Sequence, residues 1–262
     1  MTDNMNEFYK RMNIRNSGKT TIADFIMNES LNNEKTLVLD LGAGSCVIEQ
    51  MLTEQNFKGS MLAIDKNKTD IQINNDKFEF LVGDLIEEAV IRLLQIISYD
   101  TVIIVLSAVL HELNKIQINE LITLIRMIGK RSTIYLVIRE PLITKNLITQ
   151  KLKINFLEKI RISFDTKFKE YKKMHRANKW NKKVTFLNYC FLKSYGEQSW
   201  KREKYEGRYT FTEKEMLNFV KECGCMYPTI YYEKDEFYKT TLPYDIYDKI
   251  YHTSNLIITK GE

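Results

Sequence analysis

An acid followed by two alternating glycines is the most informative local pattern in this 262-residue chain. Residues 37–44 read Leu-Val-Leu-Asp-Leu-Gly-Ala-Gly, an apolar run that ends at Asp40 and its glycines. Glycines at a turn from strand to helix let the backbone approach a ligand, because no Cβ stands in the way. A dinucleotide fingerprint needs a third glycine where this chain has Val47, and Asp40 would repel a pyrophosphate. The turn therefore favours a ligand that carries a cationic amine.

A histidine and a glutamate follow the most β-branched run of the chain, residues 101–106. A neutral His111 could take a proton from an acceptor hydroxyl or amine, because the pKa of imidazole lies near operating pH. Glu112 could orient His111 or act itself. Position 115 is Lys, so the His-Glu-x-x-His zinc motif is absent. The alternative is that His111 caps the following helix or shapes a pocket.

Short apolar runs alternate with stretches of helical period, which predicts a parallel sheet with helices on both faces. Such doubly wound α/β sheets bind ligands beyond the carboxyl ends of their strands. A capping box at Thr212 and Glu215 predicts a later helix that ends at Gly224. The predicted strands are residues 36–40, 60–65, 78–82, 101–106, 132–138, 227–232 and 254–259.

The chain resembles class I S-adenosylmethionine-dependent methyltransferases. The resemblance rests on four motifs in order: Asp40 with its glycines, Asp65 at the end of the second strand, the Gly83-Asp84-Leu85 turn, and the fourth-strand segment 99–104. These motifs cover about residues 36–140, and the last two strands extend the match. The resemblance implies a Rossmann-like, seven-stranded, mostly parallel sheet with a helical lid, and S-adenosylmethionine as the cofactor.

The resemblance also implies roles for individual residues. Asp40 and the glycine backbone hold the methionine part of the cofactor, Asp65 takes the ribose diol, and Asp84 reads the adenine. Cys46 stands where the family often has a third glycine, so we expect a crowded turn with a small buried side chain rather than a reactive thiol. The predicted cofactor-binding residues are Asp40, Gly42, Gly44, Asp65, Lys66, Asp84, Leu85 and Ser107.

A basic, aromatic-rich insertion is predicted between two parts of the core. Residues 145–208 hold 18 Lys and Arg against 6 Asp and Glu, whereas the whole chain has a net charge of +5. We expect the core at 31–144 and 209–262, an N-terminal helical lid at 1–30, and one long basic helix over 152–173. Arg139 and Glu140 are expected at the pocket rim, paired with each other. The predicted substrate-side residues are Arg139, His175 and Arg176.

Three functions remain open at this stage. The first is methyl transfer to a small-molecule acceptor, as in bacterial secondary metabolism, with His111 and Glu112 as candidate catalytic residues. The second is nucleic-acid methylation, with RNA bound by the basic insertion. The third is a non-catalytic protein that binds the cofactor. We predict no metal site, because the Cys223-Gly224-Cys225 pair is too sparse for zinc. The four cysteines and the absence of a long apolar run predict a reduced, cytoplasmic protein with no membrane partner.

Overall fold

The computed structural model describes residues 18–28, 30–69, 72–149, 156–178, 180–194, 200–201, 204–233 and 254–261. Within these residues the strands are β1 Thr36–Leu41, β2 Ser60–Asp65, β3 Phe78–Val82, β4 Thr101–Ser107, β5 Thr133–Glu140, β6 Leu142–Ile143, β7 Phe211–Thr212, β8 Cys225–Glu233 and β9 Ser254–Gly261. Seven of them form one sheet in the order β3-β2-β1-β4-β5-β9-β8, and β6 pairs with β7. The first five strands run parallel, and β9 runs antiparallel to both of its neighbours.

Helices cover both faces of the sheet, as the alternating pattern predicts. In β1, Leu37, Leu39 and Leu41 pack into one apolar layer while Val38 packs into the other. None of the helices in the described ranges is long and apolar enough to span a bilayer. The helices are α1 Lys19–Ile26, α2 Val47–Glu54, α3 Leu85–Ile91, α4 Leu93–Ile96, α5 Lys115–Gly129, α6 Lys145–Thr149, α7 Phe156–Phe164, α8 Thr166–Met174, α9 Lys182–Ser194 and α10 Glu213–Glu222.

The ends of the sheet strands follow the predicted boundaries closely. Parallel pairing places the carboxyl ends of β1, β2, β4 and β5 at one edge of the sheet. Asp40 of β1 lies opposite Val105 of β4, and Ser107 lies opposite Arg139 of β5. The capping box of Thr212 and Glu215 is present, and Gly224 has the positive φ of +81° that ends α10. The seven-stranded, mostly parallel fold is therefore confirmed.

The prediction of one long helix over 152–173 was wrong. Residues 152–155 lie outside the described residues, and the rest forms two helices, α7 and α8, which are separated at Asp165. Asp165 has extended backbone geometry, and its carboxylate accepts the Lys167 amide at 2.9 Å. This side-chain cap begins a new helix, because aspartate competes with the backbone for helical hydrogen bonds.

The insertion has a hydrophobic core of its own. Tyr171, Tyr189 and Trp200 are buried together there, and the Tyr171 hydroxyl donates to the Glu206 carbonyl at 2.8 Å. Asn188 exchanges two hydrogen bonds with the backbone of Tyr209, where the main core resumes. These backbone contacts fasten the insertion to the chain that leads back into β7 and α10.

The N-terminal lid is described only in part. Residues 1–17 lie outside the described residues, whereas α1 buries Ile22, Ala23 and Ile26 in the same apolar layer as α2. This packing places the first residue of α1, Lys19, at a buried position. The lid function of the segment stays a prediction.

Removal of the Asp165 side chain should destabilise the insertion. Asp165→Ala removes the α8 cap and leaves the hydroxyl of buried Tyr189, which donates to Asp165 at 2.6 Å, without this acceptor. We expect a loss of about 2 kcal/mol in the free energy of unfolding, from a cap and one buried hydrogen bond. Chemical denaturation measures it, with Asp76→Ala, an exposed aspartate, as the control. Equal stability of the two variants would contradict the assigned role.

Candidate functional site

The glycine turn after β1 leaves open space beside its backbone. Gly42 has a φ of +84°, and a Cβ there would stand 2.6 Å from the Val109 side chain. Gly44 has a φ of +58°, and no atom lies within 4 Å of the position that its Cβ would take. The first glycine is therefore required by close packing, whereas the second borders open space, which we call the cradle and which a ligand can enter.

Asp65 ties the end of β2 to this turn. Its Oδ2 accepts a hydrogen bond from the Gly44 amide at 2.9 Å. Its Oδ1 accepts one from the backbone amide of Asn67 at 2.8 Å and one from the side-chain Nδ2 of Asn67 at 3.3 Å. An ionised carboxylate can accept about four hydrogen bonds. Asp65 therefore keeps acceptor capacity on Oδ2 for a further donor, such as a ligand hydroxyl.

Cys46 occupies the crowded end of the glycine turn. Its backbone is left-handed, with a φ of +51°, and its side chain is fully buried. Burial raises the pKa of the Cys46 thiol far above its ordinary value, so the thiol stays protonated. The structure therefore agrees with a small buried side chain at this position and not with a reactive thiolate.

A cluster of buried charged groups lies beneath the turn. Asp40, Glu49 and Lys19 are each at most 8% exposed. Burial and the neighbouring Glu49 raise the pKa of Asp40 well above its usual range, and burial raises the pKa of Glu49. Burial also lowers the pKa of Lys19, against the opposing pull of Asp40. The carboxyls therefore favour their protonated forms at a pH where exposed carboxyls are ionised.

Glu49 and Lys19 were missed in the sequence analysis, although the sequence holds a signal for each. Glu49 lies three residues after Cys46 and three before Leu52, on the apolar face of α2. Lys19 lies three residues before Ile22, on the apolar face of α1. A charged residue in the register of a buried stripe indicates a buried charge that needs a partner.

His111 is held by a glutamate from the neighbouring strand. Its Nδ1 lies 2.8 Å from Oε2 of Glu140, and Oε1 of Glu140 accepts the Leu110 amide at 2.7 Å. Burial lowers the pKa of His111, but the charge of Glu140 and its hydrogen bond outweigh this effect, so the pKa is raised above 6.5. With Nδ1–H donated to the carboxylate, Nε2 carries the lone pair of the neutral ring.

Two expectations about this segment are corrected. Glu112 does not orient His111, because its carboxylate pairs with Lys66 at 2.8 Å. Arg139 and Glu140 do not lie at a rim, because β5 runs between β4 and β9 and buries both residues. The carboxylate of Glu140 contacts His111 and the Leu110 amide, and the expected pair between Arg139 and Glu140 stays a prediction.

A cavity of about 520 Å³ opens beside His111, between the sheet edge and the insertion. The insertion contributes Asn178, Trp180 and Tyr205 to its wall, while His111 and Glu112 come from the segment after β4. We call this cavity the His111 pocket. It places the insertion over the carboxyl edge of the sheet, where ligands of such folds bind.

The other predicted site residues lie at three places. Asp84 caps α3 by accepting the amides of Ile86 and Glu87, and Leu85 is the first residue of that helix. Ser107 ends β4, and its buried hydroxyl has no partner among the described residues. His175 is buried, with Nε2 at 2.9 Å from the Lys204 carbonyl, and Arg176 is exposed beside it. Their roles toward a ligand stay predictions.

Comparison with known proteins identifies the fold. No protein-family model and no curated protein sequence matches the chain. Solved structures do: the protein described as the "putative methyltransferase" in complex with the Haloferax volcanii Trm112 methyltransferase activator is 14% identical with a TM-score of 0.52, covering 98% of this chain and 95% of that chain. The fold is therefore that of class I S-adenosylmethionine-dependent methyltransferases.

Two further solved structures are similar at lower scores. The methyltransferase domain of bacterial CtHen1-CN is 12% identical with a TM-score of 0.49, covering 95% of this chain and 100% of that chain. An S-adenosylmethionine-dependent methyltransferase from Archaeoglobus fulgidus is 13% identical with a TM-score of 0.45, covering 97% and 99%.

The buried cluster predicts an unusual dependence of stability on pH. The folded chain holds protons on Asp40 and Glu49 that the unfolded chain releases near pH 4, so stability should fall as the pH rises from 4.5 to 7. Glu49→Gln mimics the protonated glutamic acid and should flatten this fall. Chemical denaturation across this range measures it, with Glu54→Gln at the exposed end of α2 as the control. An unchanged slope in Glu49→Gln would contradict the assignment.

Proposed function

We propose that the chain binds S-adenosylmethionine and transfers its methyl group to an acceptor in the His111 pocket. The hydrogen bond from Gly44 to Asp65 carries this proposal, because it joins an open backbone cradle to a carboxylate with acceptor capacity left. The buried oxygens of Ser107 and Asp40 that lack partners among the described residues also fit a polar ligand at this edge.

Different residues would contact different parts of the cofactor. The backbone at Gly44 would admit the methionine part, and Asp65 would accept from the ribose. Asp84 follows Gly83, whose amide donates to the Asp65 carbonyl at 3.0 Å, so an adenine bound there would adjoin the ribose site. The sulfonium of the bound cofactor supplies an activated methyl group, so the protein needs chiefly to align the acceptor.

His111 is the base that this arrangement supports. Its Nδ1–H is held by Glu140, so its Nε2 can take the proton that an acceptor hydroxyl or amine loses on methylation. The raised pKa makes His111 a stronger base, and it acts as one only above that pKa, where the ring is neutral. Glu140 is then a positioning residue, because it touches His111 and not the acceptor.

The size of the His111 pocket limits the acceptor group. A volume of about 520 Å³ lies within the range of small-molecule sites. It suits a free small molecule, the first candidate from the sequence, and equally one nucleotide that a longer chain presents. The basic insertion beside the pocket favours the second candidate.

Cofactor binding is the first test. We expect wild-type protein to bind S-adenosylmethionine with a micromolar Kd in calorimetry, and Asp65→Ala to weaken it about tenfold or more, since a charge-assisted hydrogen bond is lost. Gly44→Ala, which places a methyl in the open cradle, should weaken it as well. Asp76→Ala is the matched control, and thermal denaturation checks folding. A folded wild type that binds no S-adenosylmethionine would overturn the proposal.

The histidine pKa values provide a second test that needs no acceptor. The chain has three histidines, so ¹⁵N-histidine spectra can be assigned with His111→Asn and His175→Asn. We expect the pKa of His111 to lie above 6.5 and to be lower in Glu140→Gln. We expect the pKa of His175 to lie below 6.5, because burial lowers it. Glu120→Gln, an exposed change on α5, should leave both values unmoved. An unshifted His111 in Glu140→Gln would exclude Glu140 as its partner.

A further inference from the structure

A large cavity lies within the insertion. It has a volume of about 1140 Å³ and runs between α8 and α9. Among the residues that the structure describes, its lining contains six Lys and Arg side chains and no Asp or Glu. We call it the basic groove, and its cationic residues are Lys169, Lys172, Lys173, Arg176, Lys182 and Lys183.

Helical spacing explains why the cations gather there. Lys169, Lys172 and Lys173 lie three and four residues apart, so they share one face of α8, and Arg176 follows in the next turn. Glu170, the acid of the same helix, is paired with Lys204 at 2.9 Å instead. Within the described ranges, no ion pair to a carboxylate neutralises Lys169, Lys172 or Lys173. Unneutralised like charges in one concave surface attract an anionic partner.

Aromatic side chains form part of the groove wall between these cations. Phe168 and Phe186 pack edge to face at 5.9 Å, and Trp180 stacks on His175 at 4.9 Å. All three of these aromatic residues are partly exposed and line the groove. A surface that alternates aromatic rings with cations is the arrangement that binds single-stranded nucleic acids, because bases stack on rings while phosphates meet the cations.

The basic groove adjoins the His111 pocket. Asn178 and Trp180 line both cavities, so these two residues form the boundary that the cavities share. A chain that lies along the groove and passes this boundary would place one of its units beside His111. If the acceptor were a free small molecule in the pocket, the six cations of the groove would not contact it.

We propose that the basic groove binds a single-stranded nucleic acid and that the methyl acceptor is a nucleotide of that strand. This inference rests on the proposed function. On transfer, the lone pair of a nucleotide nitrogen or oxygen forms the bond to the methyl carbon, and the bonding pair of the carbon–sulfur bond stays on sulfur. The proton that the nucleophile loses goes to His111. An acidic peptide would meet the same cations but offers no bases for the aromatic wall.

Fluorescence anisotropy with a labelled 15-nucleotide RNA of mixed sequence tests the binding step. The variant is Lys172→Gln/Lys173→Gln, and the matched control is Lys214→Gln/Lys221→Gln, which removes the same charge from exposed positions of α10. We expect the groove variant to bind RNA at least tenfold more weakly at low salt, and the control to bind like wild type. The slope of log K against log salt should be about −4 for six neutralised phosphates and about −3 for four.

Further measurements distinguish RNA from other anionic partners, and this inference from the proposed function. Polyglutamate and vesicles of anionic phospholipid replace RNA as competitors, and stronger binding of either would overturn the inference. Equal RNA binding by the groove variant and the control would also overturn it. Binding of S-adenosylmethionine is measured by calorimetry in parallel. If the wild-type protein binds the cofactor but not the RNA, only the inference about the groove is refuted. If it does not bind the cofactor, the proposed function is refuted. Tritiated methyl transfer to the RNA, lowered in the groove variant, is the expected final result.

Discussion

The hydrogen bond between the Gly44 amide and the Asp65 carboxylate is the contact on which the candidate cofactor site depends. It spans 21 residues of sequence and joins the turns after two neighbouring strands. Without it, the Gly44 amide would lack this acceptor, while the amides of Gly42 and Ala43 would still donate to the Ile64 carbonyl of β2. The parallel register of β1 and β2 brings both turns to one edge of the sheet, where ligands of such folds bind, and the Asp65 carboxylate fixes the second glycine there.

Buried charge beneath this turn imposes a second constraint. Lys19 reaches the cluster from α1, Asp40 from β1 and Glu49 from α2, so three elements contribute to one set of buried ionisable groups. Removing such groups from water is costly unless they are paired or neutralised. The N-terminal helix is thereby coupled electrostatically to the glycine turn, and any ligand that approaches the turn meets a site whose charge depends on where the protons reside.

The His111 pocket is built differently, from the insertion and two strand ends. Glu140 at the end of β5 orients the segment after β4 through Leu110 and His111 together. The insertion carries its own hydrophobic core, and it shares the wall of the His111 pocket with Ile143 and Thr212 of β6 and β7. One fold hosts many functions through the sites that are built on it, and here the insertion brings the positive charge.

Much of the fold and part of the site were readable from the sequence, because they depend on local patterns. Apolar runs and helical periods define the strands and helices, and glycines and acids at strand ends define the turns, as at Asp40 and Asp65. Only the tertiary structure decided three other features. These are the partner of His111, the burial of Lys19 and Glu49, and the contact between the basic groove and the His111 pocket. His111 and Glu140 are 29 residues apart, and His111 and Glu112 are adjacent. Sequence proximity favoured Glu112, whereas pairing of parallel strands brings Glu140 into contact, because side-chain partners are set by packing across the sheet edge and not by neighbourhood in the chain.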